Sequence, residues 1–112
     1  MANNAYGLPE DELDRIRSRD LTCVYCHKTM LITGSDGSRT DWATIEHLNH
    51  LPPWDDPETV VICCWSCNSS RGVRLLDDWF ESEYCRERGI DATTVAKPVQ
   101  DFLKSNADYM SR

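Results

Sequence analysis

The chain has 112 residues, of which 40% are hydrophobic and 28% are charged. This size and composition indicate one globular domain with a modest core and exclude a disordered tail. A net charge of −7 argues against a protein that coats nucleic acid, because such binding needs many Lys and Arg side chains. The longest apolar run, 60–65, is too short to cross a bilayer, and residues 1–13 lack the features of a secretory signal. We therefore expect a cytoplasmic, reducing environment.

Apolar periodicity and turn residues predict a mixture of helices and strands. Pro9 and the acidic residues after it are typical of a helix start, Asp36-Gly37 of a hairpin turn, and Gly89 of a helix end. In chain order we predict a helix over 8–19, a strand over 29–33, a turn over 34–37, a strand over 41–48, a loop over 49–58, a buried strand over 60–63, a helix from about 66, a helix over 77–88 and a last helix from 98 towards 110.

Six cysteines form the clearest motif of the chain. Four of them make two C-x2-C pairs, Cys23 with Cys26 and Cys64 with Cys67. Such pairs present thiolates to a tetrahedral Zn(II), and a protein without a signal peptide favours metal over disulfides. Redox or disulfide chemistry remains the alternative. We expect the neighbours of these pairs to lie outside the site: Cys63 as a buried apolar residue, Cys85 on a later helix and His27 on the surface.

The two cysteine pairs are too far apart for a compact ribbon, in which about 15 to 20 residues separate them. We therefore expect a strand, a loop and a helix to lie between and across the two halves. No carboxylate occurs between Thr59 and Leu76, where Arg71 and Arg74 are the charged residues. If the protein contacts phosphates, this segment is the predicted place.

Three further residues suit metal-assisted hydrolysis. Adjacent residues on a strand point to opposite faces, so Glu46 can reach a metal while His47 reaches the substrate. A neutral imidazole can take a proton from water, and an amide oxygen such as that of Asn68 is a hard ligand for Mg(II) or Mn(II). Arg71 follows Asn68 by three residues on the same helical face, where it can hold a phosphate.

Together these residues resemble the zinc-ribbon members of the HNH endonuclease family. The family motif reads C-x2-C, then Asp or Glu followed by His, then Asn, then C-x2-C-N-x2-Lys or Arg. The match covers about 22–74, half of the chain. The matching residues are Cys23, Cys26, Glu46, His47, Cys64, Cys67, Asn68 and Arg71.

The resemblance implies an α+β fold: a small, zinc-stabilised ββα-metal (His-Me finger) motif with flanking helices. The single nuclease domain would span 1–112, with its motif core over 22–74 and a helical extension over 75–112. The resemblance also implies hydrolysis of phosphodiester bonds in DNA that depends on Mg(II) or Mn(II), in addition to structural Zn(II). His47 would be the general base, and Glu46 and Asn68 would hold the catalytic ion.

The chain departs from the family at the middle Asn, whose position is taken by Thr59. That Asn is expected to orient the base and to pin the loop; Thr can hydrogen bond through its hydroxyl but reaches less far. His50, in the preceding loop, is an alternative orienting or ligating group. Both residues therefore stay open as replacements.

Two other functions compete with a DNA endonuclease. One is a zinc-ribbon module that binds DNA or protein without cleaving, and the other is a thiol redox protein, which requires one C-x2-C pair to be free. A monomer is expected over a dimer, and a single site of this kind would nick one strand. A protein partner can supply targeting, since no separate DNA-reading element is evident. The recognised sequence and the biological role are not determined by these residues.

Overall fold

In a computed structural model of the protein, the described residues are 7–32, 34–49 and 56–105. They form a small α+β fold with helices around a two-stranded antiparallel sheet. The elements in chain order are α1 (Glu10–Arg19), β1 (Ala43–His47), β2 (Val60–Cys64), α2 (Trp65–Arg71), α3 (Leu76–Phe80), α4 (Glu83–Arg88) and α5 (Lys97–Ser105), with short 3₁₀ turns at Arg39–Asp41 and Pro57–Thr59.

The sheet lies between two apolar clusters. Its register places Ala43 opposite Cys64 and His47 opposite Val60. All five residues of β2 are buried, so the side chains on both of its faces enter the interior. The larger cluster covers one face and includes Val61, Cys63, Tyr25 and Trp79 among its members. The smaller cluster covers the other face and consists of Leu8, Leu13, Ile16, Val60 and Ile62.

Most predicted elements are confirmed with small changes at their ends. Helix α1 begins after Pro9 with three acidic residues and ends with two basic ones, as its macrodipole favours. Strand β1 is shorter than predicted, and β2 and α2 match their predicted positions closely. Helix α5 buries Val99 and Phe102. The predicted continuation of this helix beyond 105 lies outside the described residues.

The predicted strand over 29–33 and its hairpin are wrong within the described residues. Thr29 forms an isolated antiparallel bridge with Thr22, and Leu31 forms an isolated parallel bridge with Trp42. The reason is that this segment turns back on the first cysteine pair, while β1 takes β2 as its antiparallel partner. Gly37 remains important, because a Cβ there would lie 2.6 Å from the Leu31 side chain.

The predicted helix over 77–88 is two helices rather than one. The chain breaks at Ser82, which takes an extended conformation and accepts a hydrogen bond from the amide of Cys85. A serine in this role caps a helix start, which ends α3 and begins α4 in a new direction. Gly89 ends α4 in the left-handed conformation, as predicted.

Candidate functional site

The four cysteines of the two C-x2-C pairs converge in the fold. Their sulfur atoms all lie within 4.8 Å of one another, and those of Cys26 and Cys64 are 3.8 Å apart. Zinc–sulfur bonds of about 2.3 Å in a tetrahedron place neighbouring sulfurs about 3.8 Å apart. The thiol cluster, Cys23, Cys26, Cys64 and Cys67, therefore fits zinc in ligand type and spacing and could hold a metal ion such as zinc.

Each half of the thiol cluster is held by a local turn. In the first half, the amide of His27 donates to the carbonyl of Cys23 at 2.9 Å, and His27 takes a left-handed φ of 66°. In the second half, Cys64 ends β2 and its sulfur accepts a hydrogen bond from the amide of Cys67 at 3.4 Å. Cys23 and Cys26 are thus held by the first turn, and Cys64 and Cys67 at the start of α2.

Because the four sulfurs of the cluster hydrogen bond to one another, the pKa of Cys26 is lowered while the pKa values of Cys64 and Cys67 are raised. Hydrogen bonds from Cys23 first, and then from Cys64 and Cys67, lower the pKa of Cys26. A lowered pKa favours the thiolate, which is the form that binds metal. Burial raises the pKa of Cys63 well above its ordinary value. Cys63 is therefore a neutral core residue, as its sequence context predicts.

Two other residues that the sequence placed outside the site also lie outside the thiol cluster. Cys85 is buried on α4. His27 is exposed, and its ring faces the carbonyl of Thr94. Within the described ranges, the group of Cys, His, Asp or Glu side chains close enough to share one ion consists of the four cysteines.

The Glu46–His47 pair lies at the end of β1, where alternation directs the two side chains to opposite faces of the sheet. Both residues are buried, with exposed fractions of 1% and 4%. The hydroxyl of Tyr25 donates a hydrogen bond to Oε2 of Glu46 at 2.9 Å. Burial raises the pKa of Tyr25 well above its ordinary value, so the phenol keeps the hydrogen that it donates.

The position of Arg71 contradicts the predicted phosphate contact. Its guanidinium group is fully buried and pairs with Oε2 of Glu46 at 3.2 Å. It also donates hydrogen bonds to the carbonyls of His47 at 3.2 Å, Leu48 at 2.6 Å and Arg74 at 2.9 Å. A group enclosed in this way cannot meet a phosphate in solvent. Arg71 instead holds the chain after β1 against the end of α2.

Asn68 joins α2 to β1. Its side-chain nitrogen donates hydrogen bonds to the hydroxyl of Thr44 at 3.0 Å and to the carbonyl of Ile45 at 3.2 Å. Thr44 and Glu46 share one face of β1 because they are two residues apart. Glu46 and Asn68 therefore lie on the same side of the strand, and His47 lies on the other.

Thr59 fixes the chain after β1 through its backbone. Its hydroxyl donates to the carbonyl of Asp56 at 3.1 Å, and its own carbonyl accepts from the amide of Leu48 at 2.8 Å. The 3₁₀ turn Pro57–Thr59 that precedes β2 is thus tied to Leu48, the residue after β1. An orienting role of Thr59 towards His47 stays a prediction, and His50 lies outside the described residues.

The chemistry of Glu46 and Asn68 suits a catalytic divalent ion, but their positions do not fit one as they stand. A carboxylate and an amide oxygen are hard ligands that Mg(II) and Mn(II) accept. Oε2 of Glu46, however, is buried and already holds the cationic Arg71. An ion at this carboxylate would therefore have to take the place of the guanidinium group.

Two tyrosines contribute to these sites without being predicted. Tyr25 bonds to Glu46, and the hydroxyl of Tyr84 lies 3.3 Å from the sulfur of Cys67. The location of Tyr25 inside the first C-x2-C pair was a usable signal. No spacing rule points to Tyr84, because it reaches the cluster from a helix that follows a turn.

Comparisons of the chain with protein-family models, with curated proteins and with solved structures found no match. The resemblance to HNH endonucleases therefore depends on the motif residues themselves. None of the helices in the described ranges combines the length and apolar composition needed to cross a membrane.

Proposed function

We propose that the protein is a zinc-stabilised, metal-dependent DNA endonuclease with a ββα-metal site of the HNH type. The observation that carries this proposal is the docking of α2 on β1 through Asn68. It groups Glu46 and Asn68 on one side of the strand, while His47 takes the other. The thiol cluster at the start of α2 supports the same arrangement, since a bound zinc ion would fix the helix that carries Asn68.

In this proposal His47 takes a proton from the attacking water. Glu46 and Asn68 would hold a divalent ion once the guanidinium group of Arg71 leaves the carboxylate, and that ion would supply neutralisation of phosphate charge and stabilisation of the leaving oxygen. Arg71 and Thr59 have supporting roles, because both bond to the backbone directly after β1 and so restrict the position of His47. Arg74, which is exposed, replaces Arg71 as the phosphate contact in the carboxylate-free segment.

A second candidate function is a zinc module that binds DNA or protein without cleaving. The burial of Glu46, His47 and Arg71 favours it, because a general base and its ion must reach the scissile phosphate. Cleavage requires this end of β1 to open when DNA binds, whereas binding alone does not. The two candidates therefore differ in what His47 must do.

Incubation of a supercoiled plasmid with the purified protein and Mn(II) or Mg(II) tests the proposal. The wild type should produce nicked circles, and His47→Ala should slow nicking by roughly 100-fold or more. Arg86→Ala is the control, since Arg86 is exposed on α4 and lies outside both the proposed site and the thiol cluster. Elemental analysis and circular dichroism of both variants should match the wild type in zinc content and helix content.

Of two contrary results, the first would reject the endonuclease and the second would reject His47 as its base. If the wild type retards DNA on a gel without nicking it, the binding module is the better interpretation. If His47→Ala nicks at the wild-type rate, the base has been assigned to the wrong residue.

A further inference from the structure

Tyr84 connects the helices after the motif core to the thiol cluster. Its hydroxyl lies 3.3 Å from the sulfur of Cys67 and 2.8 Å from the hydroxyl of Ser66. The ring is held on both sides: Trp79 stacks against it with centroids 6.0 Å apart, and the guanidinium group of Arg88 lies 3.7 Å from its centre. The hydroxyl is therefore fixed in position rather than adopting this contact by chance.

The direction of these hydrogen bonds follows from counting hydrogens. A phenol has one hydrogen to donate, and a metal-bound cysteine is a thiolate that can only accept. Tyr84 therefore donates to Cys67 when metal is bound. The Ser66 hydroxyl, 2.8 Å from the phenol oxygen, then donates to Tyr84. The result is a short chain of bonds that ends on the sulfur of Cys67.

A hydrogen-bond donor near the thiol cluster would stabilise the negative charge of metal-bound thiolates. Four thiolates around one Zn(II) carry a net charge of about −2. Hydrogen bonds from outside the ligand shell spread this charge and orient the ligands. Backbone amides already serve two sulfurs, with Tyr25 donating to Cys23 and Cys67 donating to Cys64, both at 3.4 Å. Tyr84 serves Cys67 from a separate helix.

We propose that Tyr84 is a positioning residue of the metal centre, whose hydroxyl donates to the metal-bound thiolate of Cys67 and slows loss of the ion. The proposal rests on metal binding by the thiol cluster and is independent of DNA cleavage. It makes α4 part of the metal centre rather than a passive extension of the motif core.

The test uses Tyr84→Phe, which keeps the ring and removes the hydroxyl. Zinc release to a chromogenic chelator should become roughly 10-fold faster. With Co(II) in place of zinc, the sulfur-to-cobalt charge-transfer band should shift, because the charge on Cys67 has changed. Ser66→Ala, which leaves the phenol in place, should move both readouts in the same direction by a smaller amount.

Ile16→Val is the control. Its side chain is buried in the smaller apolar cluster, which contains none of the four cysteines, so the change lowers stability without touching a sulfur. It should therefore release zinc at the wild-type rate under conditions in which both variants are folded. This control separates a general loss of stability from a specific effect on the sulfur.

The outcomes distinguish the role of Tyr84 from metal binding by the thiol cluster itself. If Tyr84→Phe matches the wild type in release rate and in the cobalt spectrum, the role of Tyr84 is overturned while the metal centre stands. If the wild type binds neither zinc nor Co(II), the metal centre itself is rejected, and the role of Tyr84 with it. Neither result depends on whether the plasmid is nicked.

Discussion

The thiol cluster and the buried cluster formed by Tyr25, Glu46 and Arg71 contrast in how the chain builds them. The thiol cluster takes its ligands as two close pairs, each shaped by a local turn. The buried cluster takes one residue each from the first turn, β1 and α2, and each is useful only when the others are in place. The thiol cluster therefore depends mainly on the local spacing of the cysteines, whereas the buried cluster depends on tertiary packing.

This contrast also separates two kinds of charge. Four ionised thiols in the thiol cluster would concentrate negative charge, which a metal ion such as zinc could balance from outside the chain. The carboxylate of Glu46 is balanced from within, by the guanidinium group of Arg71 at 3.2 Å. This ion pair ties the end of β1 to α2, and it also places Arg71 at the carboxylate that the resemblance assigns to a catalytic ion.

The largest expected effect comes from removing one metal ligand. Cys64→Ala should lose its zinc and most of its folding stability, because the binding energy of a structural site, about 10 kcal/mol or more, is folding energy. Cys63→Ala is the matched control: the same change, one residue away, deletes a buried thiol outside the thiol cluster and should cost only about 1 kcal/mol.

Zinc per chain, by elemental analysis, and thermal unfolding with and without a chelator measure both variants. Equal zinc loss in the two would show that zinc binding needs Cys63 as much as Cys64, and the C-x2-C spacing would then not be what selects the ligands.

A smaller effect is expected from the buried ion pair. Glu46→Gln and Arg71→Met should each lower the free energy of unfolding by about 3 kcal/mol or more, because each leaves a buried partner without its opposite charge. The double variant should be less destabilised than the sum of the two, since it removes both charges together. Urea unfolding of all four proteins measures the coupling.

Strict additivity in that cycle would mean that the bonds of Arg71 to the carbonyls of His47, Leu48 and Arg74 carry its whole effect. Zinc content should be unchanged in all three variants. Unchanged zinc content would sharpen the contrast, because it would show that the buried cluster can be disrupted without loss of the metal from the thiol cluster.

The parts of the fold that were predictable from sequence are those with local causes. The cysteine pairs, the start of α1, the buried run of β2 and the glycine that ends α4 all follow from spacing, capping or burial patterns. The Glu46–His47 pair was located correctly at the end of a strand.

The errors have long-range causes. The segment 29–32 has strand composition, but its pairing is limited to isolated bridges, of Thr29 with Thr22 and of Leu31 with Trp42, while β1 pairs along its length with β2. Ser82 interrupts a helical pattern because it can cap as well as continue a helix, and packing decides between them. Arg71 matches a phosphate-binding position in the motif, but nothing in the chain near it reveals that Glu46 and three carbonyls enclose it.

The smallest expected effect comes from a second Glu–Arg ion pair, which has the same charged groups as the Glu46–Arg71 pair but is exposed to solvent. Glu81 and Arg86 form an ion pair at 2.6 Å, with side chains that are 76% and 68% exposed. An exposed pair loses little solvation when it forms or breaks, and salt screens it. Arg86→Met should therefore change the free energy of unfolding by no more than about 0.5 kcal/mol. The effect of Arg86→Met should become smaller still at high salt, while that of Arg71→Met persists because water and ions do not reach the buried pair.

Urea unfolding of both variants at low and high salt measures these effects. The same Arg→Met change is thereby compared at an exposed and at a buried ion pair. A loss at Arg86 comparable to that at Arg71 would show that the shared chemistry of the pairs, rather than the burial of one, determines their contribution.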